Sequence, residues 1–315
     1  MTARVRVPAS SSNLGAGFDC IGVAVDRWLV ASVTLGGTGI SILRRGTLSA
    51  VRVRADQDLF TRGFRAACAA GGASPAGTGA TIEAASDIPV GCGLGSSAAA
   101  IVAGALLADA ALELGLSRVK ILEIATTIEG HPDNVAPAIH GGAVLSVHTP
   151  AGLVSSSLRV SPAIELLIAV PPFPNDTKAA RAALPHTLPH SDAVVAASRA
   201  AALVQGLATG DGALLGAALD DVLHVPFRRA RIPGYDAVVA AAQKAGAFGA
   251  TLSGAGSAIL AITSRERSAA VGAAMLAAWR AAGVVAEVIR SAHPVPGATV
   301  NRIPSLSHPV SSELS

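Results

Sequence analysis

Aromatic residues are scarce in this chain, nine in 315 or 3%. With so few, the stacking platforms that bind single-stranded nucleic acid are missing. Charge of one sign does not accumulate either. Lys and Arg number 24 against 21 Asp and Glu, a formal net charge of +3, and the nearest approach to a basic cluster is Arg228, Arg229 and Arg231. No nucleic acid partner is expected. Cysteine is confined to Cys20, Cys68 and Cys92, odd in number, far apart and free of any C-x-x-C pattern. That supplies neither a disulfide framework nor a zinc site, and it suits a reducing, cytoplasmic setting. The longest apolar run, residues 98–108, ends after 11 residues at Asp109, whereas a membrane-spanning helix needs about 20. The first residues show no apolar signal segment. The expectation is a soluble cytoplasmic protein without a membrane partner.

Small apolar residues make up the bulk, with 51% of the chain hydrophobic, so the core is built from closely approaching elements. Short strands are predicted at residues 4–7, where Pro8 stops the first, and at 20–25, 30–35, 41–43 and 80–85. Helical spacing covers 59–71, 97–114 and 117–128, the last with Ser117 as N-cap. Further strands fall at 143–147, 164–170, 258–262 and 284–289, and helices at 191–207, 213–223, 234–245 and 267–282. Residues 249–256 read as a glycine-rich turn. Strand and helix do not alternate regularly, so two α+β halves dividing around residues 151–162 fit better than a barrel or a doubly wound sheet.

The sharpest local signal is Ile88-Pro89-Val90-Gly91-Cys92-Gly93-Leu94-Gly95-Ser96-Ser97-Ala98-Ala99. Glycines at alternate positions permit left-handed φ and leave N–H groups unshielded. A helix opening directly after them offers unpaired donors suited to a phosphate chain. The plainer alternative is a glycine-rich turn with serine as an ordinary N-cap. No lysine follows the glycines, so this is not a Walker loop, and the protein-kinase signatures are absent. Two further segments bear on the choice: Pro8-Ala9-Ser10-Ser11-Ser12-Asn13-Leu14-Gly15-Ala16-Gly17-Phe18-Asp19 and Thr251-Leu252-Ser253-Gly254-Ala255-Gly256-Ser257-Ala258.

Together the three segments resemble the signature motifs of the GHMP kinases, and the first resembles the branch of that family that phosphorylates homoserine. The likeness extends to Glu129-Gly130-His131-Pro132-Asp133-Asn134, to Thr177 through Arg181 and to Asp221 through Arg228, in order over most of the chain. The resemblance implies an α+β GHMP kinase fold. An N-terminal ribosomal-protein-S5-domain-2-like domain would occupy residues 1–155 and a C-terminal ferredoxin-like α/β-plait domain residues 156–300; residues 301–315, where Ser and Pro dominate, read by composition as a disordered tail. The resemblance also implies ATP and Mg²⁺, L-homoserine as acceptor and a homodimer. Another small-molecule kinase of mevalonate type, or a silent ligand-binding relative, are the alternatives.

By the same resemblance, residues 89–99 with Gly254 and Gly256 bind the nucleotide. Arg181 and Arg228 hold a carboxylate, Asp19 meets the ammonium and Thr177 joins the substrate site. Asn13, Asn134 and His131 lie at the reacting hydroxyl, where an amide cannot accept a proton, so alignment and charge stabilisation carry the catalysis. Ser97 and Glu129 are expected at the metal, with Glu123 the other acid considered. Cys92 stands where the family often has Arg or Ser. Its place among backbone donors makes it either a low-pKa, reactive thiol or a buried filler.

Overall fold

The computed structural model describes residues 2–74 and 78–303. The first part runs β1 (Thr2–Asn13), β2 (Gly17–Leu35), β3 (Ile40–Gly46), α1 (Leu59–Ala70), β4 (Ala80–Ser86), α2 (Ser96–Leu112), α3 (Arg118–Glu129), α4 (Val135–His140), β5 (Ala143–Thr149) and β6 (Gly152–Leu158). The second runs β7 (Ile164–Val170), α5 (Thr177–Ala182), α6 (His190–Thr209), α7 (Gly212–Leu219), α8 (Val225–Arg228), α9 (Tyr235–Lys244), β8 (Ala247–Leu252), β9 (Ile259–Ser264), α10 (Ser268–Ala281) and β10 (Glu287–Ser291), and the described chain ends in β11 (Thr299–Ile303).

A seven-stranded mixed sheet follows the order β11-β1-β2-β4-β3, with β5 on another stretch of β2 and β6 on β5. Among the described residues only the β3–β4 pair of this sheet is parallel. β1 does not stop at Pro8. Pro8 lies opposite Trp28 and the register shifts between Pro8 and Ala9, a bulge that accommodates a residue with no N–H to give. The two apolar runs at 20–25 and 30–35 are one 19-residue strand, β2. α2 lies against β1 and β2, and α1, α3 and α4 pack onto it. Its apolar residues face every direction because it is buried on nearly every side. The glycine content permits this closeness: a Cβ on Gly104 would sit 2.2 Å from the carbonyl oxygen of Phe60 on α1.

The second sheet has the order β10-β7-β9-β8, all antiparallel. In domain order that is 4-1-3-2, the ferredoxin-like arrangement. β7 is apolar except for Glu165, which pairs with Arg290, because both of its faces are covered. Ile164, Leu166, Ile168 and Val170 join the core shared with the first sheet, and Leu167 and Ala169 join a second core under α9 and α10. Residues 249–252, read as a turn, belong to β8.

The course of the chain departs from the expected division. β6 crosses position 155/156 and pairs with β5 of the first sheet. The tail expected from 301 begins instead as strand: β11 pairs antiparallel with β1, Val300 opposite Val5. Residues 304–315 lie outside the described part. Among the described residues no helix is long and apolar enough to cross a membrane.

Candidate active site

The three glycine-bearing segments meet where the two sheets adjoin. Gly91, Gly93 and Gly95 all adopt left-handed φ, at 73°, 81° and 66°. Four successive carbonyls of this loop are tied into the surrounding protein. Gly91 O accepts from Asn175 N (2.8 Å), Cys92 O from Ala258 N (3.0 Å), Gly93 O from Ser253 Oγ (2.6 Å) and Leu94 O from Ser10 N (3.1 Å). With the carbonyls held outward, the N–H groups of the loop and of the first turn of α2 are left to face an anion. The serines act as a directed chain. Ser253 Oγ donates to Gly93, so it is Ser11 Oγ that donates to Ser253 Oγ (2.8 Å).

Beside the loop, Ser97 Oγ donates to Glu129 Oε1 at 2.5 Å. Glu123 instead pairs with Lys120 at 3.2 Å on the solvated face of α3, so of the two acids it is Glu129 that reaches the loop. Burial holds the Glu129 carboxyl above the ordinary range, against the pull of Ser97 and His131. A hydroxyl and a carboxylate side by side are hard oxygen donors that suit Mg²⁺.

Asn134, at the start of α4, accepts from Ser10 Oγ at Oδ1 (2.9 Å) and donates from Nδ2 to Ser12 Oγ (2.9 Å). Asn13 sits at φ 73°, donates to Gly254 O (2.9 Å) and accepts from Asp19 N (3.0 Å). Both amides thus brace the loops and also line the pocket. His131 Nδ1 lies 2.5 Å from Asp133 Oδ1. Burial works against its charge, but Asp133, Glu129 and Asp19 outweigh that and raise its pKa. Asp19, His131 and Asp133 come within 4.8 Å of one another, an acidic corner of the pocket. Arg181 closes both guanidinium ends on Asp19 (2.8 Å each). Burial pushes the Asp19 carboxyl up, but those bonds and the Arg181 charge reverse it to below its ordinary value.

Arg228, 2% exposed at the end of α8, reaches the same pocket, as does Thr177 from α5. Sequence reading assigned no role to His224, a turn of chain before it. Its Nδ1 lies 3.2 Å from Arg228 Nη1, and its Nε2 3.3 Å from Gly15 O. Burial, reinforced by the Arg228 charge, lowers its pKa from 6.5 to about 4, with Asp221 pulling the other way. Between these values the unfolded chain takes up a proton that the folded chain refuses. Stability is therefore full above pH 6.5 and falls as the pH drops to 4, by roughly 3 kcal/mol in all. Melting temperatures of His224→Asn should lack that component of the acid slope.

Pro89, Val90, Cys92, Ala98, Ala99 and Gly256 are not brought into this pocket. The Ala98 and Ala99 side chains are in the core, and the Ala99 N–H is taken by Gly95 O. Pro89 and Cys92 face a separate groove beside Pro171 and Pro174. Cys92 is not the low-pKa thiol considered: burial raises its pKa, and it fills space near the carbonyls of Val90 and Phe173. Val90 lines an apolar groove with Leu48, Val51, Val53 and Phe60 that runs on from Ser96 and Ser97. No glycine pattern marks that groove, and its residues come from three separate stretches of chain.

Residues 58–142 match the GHMP kinases N terminal domain and residues 202–281 the GHMP kinases C terminal domain. The homoserine kinase of Trichormus variabilis is 40% identical over 94% of this chain and 97% of its own. That of Gloeobacter violaceus is 43% identical over 87% and 92%. The crystal structure of homoserine kinase from Cytophaga hutchinsonii superposes with a TM-score of 0.86 at 32% identity, over 95% of this chain and 97% of that one. L. major mevalonate kinase shares the fold at TM-score 0.66 and 17% identity, so the fold alone does not name an acceptor. Identity near 40% across almost the whole of both chains does: the chain belongs to the homoserine kinases of the GHMP kinase family.

Proposed function

We propose that this chain transfers the γ-phosphoryl group of ATP to the side-chain hydroxyl of L-homoserine, giving O-phospho-L-homoserine and ADP on the route to threonine. One O–P bond forms at the acceptor and one breaks at the β–γ bridge, and the hydroxyl proton leaves. The observation that carries this reading is a pocket with two arginines and an acidic corner at the mouth of a phosphate-binding loop. A free amino acid has one carboxylate and one ammonium to match.

Loop residues 91–97 hold the phosphates through their N–H groups, and the adjoining apolar groove takes the adenine. Ser97 and Glu129 would hold Mg²⁺, which when bound neutralises charge on the transferring phosphate. Arg228 receives the α-carboxylate. Asp19 receives the ammonium, sharing its oxygens with Arg181. Asn13, Asn134 and His131 align the hydroxyl. The amides are already anchored at both ends, so they position rather than deprotonate, which suits a loose transition state. Membership of this branch also supports a cytoplasmic setting and a homodimer, the latter open to sedimentation.

The test is ADP release from MgATP with L-homoserine, mevalonate, galactose or no acceptor. Turnover is expected with L-homoserine alone. Turnover with mevalonate, or ATP binding with no turnover on any of them, would overturn the reading.

A further inference from the structure

The two arginines of the pocket are held in opposite ways. Arg181 has both ends of its fork closed on the Asp19 carboxylate. Arg228 is the more buried of the two, yet among the described residues it forms no ion pair. Its hydrogen bonds go from Nε to the Ala180 carbonyl (3.2 Å) and from Nη1 to His224 Nδ1 (3.2 Å). A guanidinium only donates, so His224 Nδ1 carries no hydrogen and the ring proton sits on Nε2, donating to Gly15 O (3.3 Å). The carboxylate of Asp221, on the same stretch of chain, is occupied elsewhere: its oxygens accept from the N–H groups of Leu223, His224 and Val225. Phe18 closes the arrangement, stacked on the His224 ring at 4.9 Å and lying under Arg228 at 5.2 Å.

We infer that His224 is a positioning residue that fixes Arg228 with a neutral acceptor, so that the guanidinium keeps its charge for the substrate carboxylate. The inference rests on the reading of Arg228 given above. An acid at position 224 would hold Arg228 equally firmly but would neutralise it, as Asp19 does Arg181. A neutral imidazole orients without neutralising. Its second nitrogen reaches Gly15, in the turn that leads to Asp19, so one ring also sets the spacing between the carboxylate-binding and ammonium-binding groups.

Four variants test this: His224→Asn, His224→Asp, His224→Leu and Arg228→Ala, with KM measured for L-homoserine and for ATP. Asn and Asp have nearly the same shape, put an oxygen where Nδ1 was, and differ in charge. Arg228→Ala should raise KM for L-homoserine about 100-fold, the usual cost of a lost charge-assisted pair. His224→Asn should raise it about 3-fold, and His224→Leu, which offers no acceptor, about 20-fold. His224→Asp should approach the Arg228→Ala value and add nothing when combined with it. KM for ATP should stay within about 2-fold throughout. Equal values for Asn and Asp, or a parallel rise in KM for ATP, would reduce His224 to a structural part and overturn the inference. Should the Asp variant fail to fold, Leu equal to or better than Asn overturns it as well. Arg228→Ala with an unmoved KM for L-homoserine would instead remove the reading on which the inference rests.

Discussion

Gly93→Ala should lower kcat/KM for ATP by about 10²–10³-fold, the larger part of which is steric. An alanine at φ 81° carries a strain of roughly 1–2 kcal/mol. Its Cβ would also lie 2.1 Å from Ser253 O and 3.0 Å from Gly256 O. Those are backbone atoms of the third motif that cannot swing aside, and crowding of this kind costs about 1–3 kcal/mol more. Relief requires the loop to part from Ser253, which breaks the bond to Gly93 O and releases a carbonyl into the space meant for the phosphates. Gly115→Ala is the control. Its φ is 70° but nothing lies within 4 Å of the new Cβ, so it should bear the strain alone, lowering the melting temperature while leaving turnover intact. Equal kinetics for the two variants would mean that the contact between the motifs is not needed.

Glu129→Gln should reduce kcat at moderate Mg²⁺ by about 10²–10³-fold, since charge stabilisation of this kind is worth several kcal/mol. The amide preserves the size of the side chain and an acceptor for the Ser97 hydroxyl, so packing is retained and the negative charge alone is removed. Raising Mg²⁺ should restore part of the rate, and the thermal shift on adding MgATP should shrink while that with ATP alone is unchanged. Glu123→Gln, at a solvated Lys120 pair, should stay within about 2-fold of the parent. Matching behaviour of the two variants would remove Glu129 from the metal site.

The parts of this architecture that were legible in the sequence are those where local chemistry and final position coincide. The glycines at 91, 93 and 95 are spaced for left-handed φ, and the loop adopts it. Ser117 has the flanks of an N-cap, and its side chain accepts from Lys120 N. What was missed depends on distant partners. Pro8 is a strand breaker by its own chemistry, yet a bulge against Trp28 carries β1 through it. Thr299–Ile303 is five residues in a Ser- and Pro-rich neighbourhood and is a strand only because β1 pairs with it. Glu129 was preferred to Glu123 from the resemblance, and the structural reason is which face of α3 looks toward Ser97. His224 was hidden for the same reason, since its second partner, Gly15, stands 209 residues earlier. Cys92, left open between a reactive thiol and a buried filler, is the filler, because burial outweighs its proximity to the loop donors.

The pairing of β11 with β1 bears on how the molecule comes to be made. β1 leads into the turn that holds Asn13. One of its two neighbours, β2, follows at once. The other is among the last residues of the described chain. While everything between β2 and β11 is being made, β1 therefore has one unpaired edge, a row of N–H and C=O groups open to unwanted strands. Its alternation of Arg4 and Arg6 with Val5 and Val7 places two charges on the exposed face during that wait. A messenger truncated just before residue 299 would encode every residue assigned to the pocket and still leave the first strand half-paired.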